Sequence, residues 1–478
     1  MEHFSLLIPG AGAAAGKVTV SAPFDGAALA SVDTASAVQA DRALATAYRL
    51  HRDIDSWPPL HERVAVLERA AEIMTQRHEE LAVGAAAEGG KPLIDSRVEV
   101  SRAVDGLKLC AEAIRSEQGH VVPMGGTPAG QHRIAFTQRQ PIGVVVAVSA
   151  FNHPLNLIVH QVAAAVAAGC PVIVKPADDT PLSCLRFAQI LHEAGLAPEW
   201  CQVVIAENLE VAQKLVTDER VAFFSFIGSA RVGWMLRSQL SPGTRCALEH
   251  GGVAPLLLAA DADMDAALAS VTKGGFYHAG QVCVSVQRVF AHKSVARDFA
   301  TRLAAAADKL VIGDPTHANT QIGPLIRHAE VTRIHDWVTQ AVAAGAERVS
   351  GGEPLSDSCY PCTVLFEPPR DAKVSTQEIF GPVVCVYAYD DMGDAIDQAN
   401  ELPYAFQAAV FTQNLDTVLR AFKRLDASAV MVNDHTAFRV DGMPFAGLRQ
   451  SGLGVGGIAY TIHDMTIEKM MVVQSPEI

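Results

Sequence analysis

From Pro141 onward the chain repeats one pattern, a short apolar run followed by a helical stretch, and this repetition restricts the fold more than any other feature. Residues 142–148 form an almost unbroken run rich in β-branched side chains, as expected for a parallel strand buried on both faces. A helical stretch covers 154–168, a short strand 171–175, and another helix opens at Thr180-Pro181. Strand-like 202–205, helix-like 209–217 and strand-like 221–225 continue the series. Such alternation over short connections predicts a doubly wound parallel sheet, a platform for a dinucleotide.

The flanking segments read differently. Residues 36–85 are mostly helical with a break at Pro58-Pro59, and Val64, Leu67, Ala71 and Met74 recur at helical spacing as one apolar stripe. Between 119 and 140, Met124-Gly125-Gly126-Thr127 separates two extended segments, which suits a hairpin. A second alternating set runs from 254 to about 456, and the chain ends in a strand-like stretch at 469–474. At 478 residues the chain exceeds one ordinary core and should divide into two or three packed units.

Charge narrows the partners. Lys and Arg number 38 against 52 Asp and Glu, a formal net charge of −14. Such a surface repels phosphate backbones, so no nucleic-acid partner is expected, although a local basic pocket could hold a phosphorylated cofactor. Residues 1–16 have no basic n-region. The longest apolar run, 162–174, contains Pro171 and is too short to span a bilayer, so no membrane partner is expected. Nine cysteines, an odd number without a secretory signal, fit a reducing compartment and a cytoplasmic protein.

Several constellations could carry chemistry. Ile227-Gly228-Ser229-Ala230-Arg231-Val232-Gly233 follows a strand and opens a helix, where backbone N–H groups can meet a phosphate. It is G-S-x-x-x-G and not G-x-G-x-x-G, so a bare structural turn is an equal reading. Lys175 and Asp178 sit where a strand ends, and a Lys with a carboxylate there could grip ribose hydroxyls. Cys283 lies in Gly280-Gln281-Val282-Cys283, although a buried cysteine is ordinarily inert. Glu249 stands at a strand end before Gly251-Gly252. Cys359-Tyr360-Pro361-Cys362 is a C-x-x-C with no second half downstream, so it reads as structural and no metal site is expected.

Taken together the segments resemble the aldehyde dehydrogenase superfamily over essentially the whole chain. The matching pieces stand in the family's order: Glu88-Gly89-Gly90-Lys91-Pro92, Pro141-Ile142-Gly143-Val144, Phe151-Asn152-His153-Pro154-Leu155 and Lys175-Pro176-Ala177. Ile227-Gly228-Ser229, Glu249-His250-Gly251-Gly252 and Gly280-Gln281-Val282-Cys283 follow. Glu378-Ile379-Phe380-Gly381-Pro382, Pro444-Phe445-Ala446-Gly447 and Ser451-Gly452 complete the series. Gly252-Val253 and Phe438-Arg439-Val440-Asp441 look like the lactaldehyde dehydrogenase branch, whose members act on small polar aldehydes including phosphonoacetaldehyde and sulfolactaldehyde.

The resemblance implies an α/β fold with a Rossmann-type cofactor domain at 1–118 and 141–250, and a second α/β catalytic domain at 251–456. It also implies a β arm for oligomerisation at 119–140 and 457–478, hence a homodimer or homotetramer. It assigns Cys283 as nucleophile, Glu249 as the base that activates water, and Asn152 with the Cys283 N–H as the oxyanion site. Lys175, Asp178, Gly228, Ser229, Gly233, Glu378 and Phe380 are expected to bind NAD, preferred over NADP because Asp178 would repel a 2′-phosphate. Phe438, Arg439 and Phe445 are expected at a small aldehyde substrate, with Arg439 either reading an anionic group or pairing with Asp441. Two departures stand out, His250 for the usual Leu beside the base and Ala446 for a glycine. Rival readings are a CoA-acylating dehydrogenase, which usually lacks the Glu at 249, and a catalytically silent structural member.

Overall fold

The computed structural model describes all residues, 1–478. Its first sheet has six strands in the order Gly452–Leu453, Arg245–Glu249, Val221–Ile227, Val144–Val148, Val172–Lys175, Cys201–Val203. All neighbours are parallel except Gly452–Leu453, which runs antiparallel to Arg245–Glu249. The β-branched run does what its composition requires. Because side chains alternate along a strand, Val145 and Ala147 enter one hydrophobic core while Val144 and Val146 enter another on the opposite face. The helices Leu60–Gln76 and Leu93–Arg115 cover the first face, and Ala37–Arg52 with Leu209–Thr217 covers the second. Val64, Leu67, Ala71 and Met74 are all buried there.

The chain leaves Val144–Val148 toward Val172–Lys175 on one side and later returns to Val221–Ile227 on the other. That reversal opens a crevice beyond the strand ends, the general ligand position in doubly wound sheets. The helix expected at 154–168 begins at Asn156 and contains a π-helical turn, Val159–Ala163.

The second alternating set forms a seven-stranded sheet. Its order is Glu347–Ser350, Thr363–Phe366, Val383–Tyr389, Val286–His292, Ala254–Leu258, Gln407–Phe411, Ala429–Val432, and only the first strand is antiparallel. It has its own core of 46 buried residues. A third sheet pairs Arg133–Pro141 with Thr466–Gln474 on one side and Val121–Val122 on the other. Met470, Met471, Val472 and Val473 are exposed on it.

Two features differ from expectation. Glu2–Phe4, Gly16–Ser21 and Ala28–Thr34 make a small sheet that the sequence reading did not identify. The helix Ile458–Asp464, assigned with the C-terminal strand, instead buries Ile458 and Ile462 in the first core. Its short apolar stripe finds cover against the helices of that core, so only the following strand projects. Cys359 and Cys362 are buried free thiols. No helix is long and apolar enough to cross a membrane.

Candidate active site

A cleft of about 640 Å³ lies between the two sheets, and every site residue expected from sequence lines it except Gly233. Gly233 stands behind it. A side chain there would collide with the imidazole of His250 and the ring of Phe226, so its glycine serves packing. Gly228 and Ser229 do reach the cleft, between Val221–Ile227 and the eight-residue helix Ala230–Arg237. The Ser229 side chain makes no capping bond to its own helix. It and the first helical N–H groups therefore suit an anionic ligand.

At the same edge, Lys175 ends its strand and donates to Asp178 Oδ1 at 2.6 Å. From the loop before Val383–Tyr389, Glu378 presses against Gly251, and its Oε1 has no hydrogen-bond partner. Burial pushes its carboxyl up to about 8, against the Gly252 N–H and Arg333, which favour the charged form. An orphaned buried acceptor fits a ligand that brings hydroxyl donors. Phe380 stands edge-on to Phe151 at 5.8 Å.

Cys283 is carried by an unusual turn. His278, Ala279 and Gly280 all have positive φ, at 50°, 53° and 68°, and a left-handed non-glycine residue costs about 1–3 kcal/mol. Gln281 holds the turn in place. Its side chain donates to Pro324 O at 3.2 Å and accepts from Ile326 N–H at 3.0 Å. Asn152 Nδ2 donates to Gln281 O at 2.9 Å, which ties the loop after Val144–Val148 to the cysteine turn. That loop is itself clamped. Glu99, ion-paired with fully buried Lys91, accepts from the N–H groups of Leu155 and Asn156 at 2.9 Å each. Burial pushes the Cys283 thiol up to about 12; Arg439 pulls it down, while Glu378 and Glu249 push it up.

Glu249 ends Arg245–Glu249 and lies against Gly456, where any side chain would strike its Oε1. Burial raises its carboxyl, and Arg439 opposes that shift. His250 points the other way. Its ring sits edge-on to Phe226 and Trp234, and its Nδ1 lies 2.9 Å from Gly228 O. Burial lowers its pKa, so the neutral ring donates Nδ1–H to that carbonyl. The histidine beside Glu249 thus supports the Gly228 turn. Ala446 does not have positive φ, so alanine is accommodated there without strain.

At the far end, Arg439 lies 3.6 Å above the ring of Phe445. Phe445 packs with Val282, Val284 and Phe406, and Cys283 and Ala437 border that cluster. The Arg439 Nε has no hydrogen-bond partner. Asp441, its expected alternative partner, is held by Arg102. Phe438 is exposed at the mouth. Sequence reasoning missed Arg102, Lys273 and Tyr277, which also line the cleft. Nothing in their local pattern marks residues on long helices or just after one as facing a site.

A dinucleotide-type crevice that opens onto a cysteine is the arrangement of a cofactor-dependent oxidoreductase. Residues 11–471 match the aldehyde dehydrogenase family. A 3-sulfolactaldehyde dehydrogenase of Priestia aryabhattai is 38% identical over 86% of this chain and 86% of its own. A lactaldehyde dehydrogenase of Methanocaldococcus jannaschii is 30% identical over 94% of this chain and 96% of its own. The crystal structure of aldehyde dehydrogenase 21 from Physcomitrella patens, in complex with the reaction product succinate, superposes with a TM-score of 0.95. It is 32% identical and covers 99% of both chains. The chain belongs to the aldehyde dehydrogenase family, near its lactaldehyde and sulfolactaldehyde dehydrogenases. It is an NAD(P)-dependent oxidoreductase acting on the aldehyde group of its substrate; neighbours of known structure include both an NADP complex and an NAD-dependent enzyme.

Proposed function

We propose that this enzyme oxidises a short aldehyde bearing an anionic group to its carboxylic acid, with NAD preferred over NADP. The observation that carries the reading is the Arg439 guanidinium, 3.6 Å from the centre of the Phe445 ring that packs beside Cys283, and without a carboxylate partner. A half-buried cation without a partner is costly unless a ligand completes it. A carboxylate, sulfonate or phosphonate one or two carbons from the aldehyde would do so through the fixed donor fork of arginine.

In this reading Cys283 loses its thiol proton to solvent, and the thiolate adds to the aldehyde carbon to form a thiohemiacetal. The second N–H of the Asn152 amide and the Cys283 backbone N–H hold the oxyanion. Bound nicotinamide supplies the hydride acceptor. Lys175, Asp178, Gly228 and Ser229 would hold the adenosine and phosphate end of the cofactor, and Glu378 with Phe380 would hold its nicotinamide riboside. Collapse of the oxyanion breaks the C–H bond of the former aldehyde carbon, gives up its hydride and leaves an acyl thioester on Cys283. Glu249 takes a proton from water as its oxygen attacks that thioester, and the acid and thiolate separate. Retention of Glu249 supports water, not CoA, as the acyl acceptor. The Asp178 carboxylate at the rim would repel a 2′-phosphate, which supports NAD. The exposed apolar strand Thr466–Gln474 supports a homodimer or homotetramer.

The test is a panel of short aldehydes, anionic and neutral, assayed with NAD and with NADP, each with and without CoA. We expect free acid as product, no acceleration by CoA, and the highest kcat/KM for an anionic aldehyde with NAD. Formation of acyl-CoA, or a preference for neutral aldehydes, would overturn the reading.

A further inference from the structure

Two arginines and one carboxylate meet at the aldehyde end of the cleft, and they are unevenly paired. Arg102, on the helix Leu93–Arg115, donates Nε–H to Asp441 Oδ2 at 3.0 Å and Nη2–H to Oδ1 at 2.7 Å. His160, from the π-helical turn, places Nε2 2.7 Å from the same Oδ1, and Asn156 Nδ2 donates to it at 3.1 Å. Burial pushes His160 down to about 4, so its neutral ring donates. Burial alone would raise Asp441, but His160 and Arg102 outweigh it and hold the carboxyl well below its usual range. Asp441 is therefore a fixed anion whose charge Arg102 balances.

Arg439 lies two residues before Asp441, yet it makes no ion pair and leaves Nε unpartnered. A half-buried guanidinium near a carboxylate ordinarily takes it, because an unpaired buried charge costs several kcal/mol. Here the carboxylate is already occupied by the two-pronged fork of Arg102, the stronger geometry for such a pair. Of the charges that Arg439 feels through space, Glu249 is the largest; Asp441 and Cys283 add to it and Arg102 opposes it, none through a hydrogen bond.

We propose that Arg102 determines the charge preference of the site at one remove, by occupying Asp441 and so keeping the Arg439 guanidinium free for an anionic group on the aldehyde. This rests on the reading of Arg439 given above. Without Arg102, the only cation left near Asp441 is Arg439, and the two would pair. Arg102 is a positioning residue, and the charge of Asp441 is what it controls.

The experiment measures kcat and KM on an anionic and a neutral aldehyde of equal length. The enzymes are wild type, Arg439→Ala, Arg102→Met, Arg102→Lys, Asp441→Asn and the double variant Arg102→Met/Asp441→Asn. In Arg102→Met the ratio of kcat/KM on the anionic to the neutral aldehyde should fall by about tenfold or more, as on loss of a charge-assisted contact, and the change should lie in KM. Arg102→Lys, which keeps the charge, should retain most of the preference. The double variant has no carboxylate to capture Arg439 and should recover the ratio. Should Arg102→Met not fold, Arg102→Gln keeps a donor without the charge and should show the same fall. A double variant no better than Arg102→Met overturns the inference, because Arg102 would then touch the anion itself or only brace the fold. A selective loss in Arg439→Ala without one in Arg102→Met overturns this inference alone. No selective loss in Arg439→Ala removes the reading of Arg439 as well.

Discussion

At the cofactor end of the cleft Lys175 and Asp178 pair at 2.6 Å with the Asp178 side chain 65% exposed, whereas at the aldehyde end the Asp441 side chain is 4% exposed and bound by Arg102. The first pair spans three residues of one loop; the second spans 339. Water screens the Asp178 carboxylate, although the Lys175 side chain is only 12% exposed, so the pair contributes about 1 kcal/mol or less and can reopen for a ligand at little cost. The buried group has no such freedom. Its partners must all be present, and a change in one charge is passed to the next. The cofactor end should therefore tolerate substitution, and the aldehyde end should not.

The largest effect expected on this contrast is at Cys283. Cys283→Ala should lower dehydrogenase turnover by about three orders of magnitude or more, as for other covalent nucleophiles. NAD binding, followed by calorimetry, should persist because the residues proposed to hold it, Lys175, Asp178, Gly228, Ser229, Glu378 and Phe380, are unchanged. Residual turnover above about one percent of wild type would place the nucleophile elsewhere.

Next comes Glu249→Gln, with a loss of about 10²–10⁴ in steady-state rate, the usual worth of a general base. The first equivalent of reduced cofactor should still form in a burst, and mass spectrometry should find the acyl adduct on Cys283. Loss of the burst would move Glu249 to an earlier step. The pH profile sharpens the point. Burial raises the Glu249 carboxyl, so it holds its proton to higher pH, and only the deprotonated form can take one from water. Wild-type kcat should rise with pH through that raised value, and the acid limb should vanish in the Gln variant.

The smallest effect belongs to the exposed pair. Asp178→Ala should shift the ratio of kcat/KM for NAD over NADP toward NADP by less than about tenfold, since a screened charge contributes about 1 kcal/mol or less. A shift of two orders of magnitude would break the contrast and make the rim as exacting as the buried end.

Much of this site is legible along the chain because its loops follow strands. Glu249 ends its strand, Ser229 stands just before the helix that follows Val221–Ile227, and Asn152 follows Val144–Val148, as the alternation of apolar runs and turns anticipates. Gly233 shows where spacing misleads. It occupies the last position of a phosphate-like motif, yet His250, from a different strand, fills the space that makes it glycine. Arg439 and Asp441 mislead by proximity. Two residues apart they look like a pair, but the carboxylate turns to Arg102 and His160.

The sequence by itself determined the alternating strands and helices, the two-sheet α/β fold and the family, and also the order of the loops that reach the cleft. The strands and helices follow from periodicity, whereas the family, and with it the two-sheet fold and the order of the loops, follows from motifs that resemble the family's in kind and order. Only the tertiary structure decided which way His250 faces, which core receives the helix Ile458–Asp464, and which arginine takes Asp441. Burial makes each charge seek a partner, but the pairing depends on distances between segments far apart in the chain. No local pattern encodes those distances, because they are set by how whole sheets and helices pack.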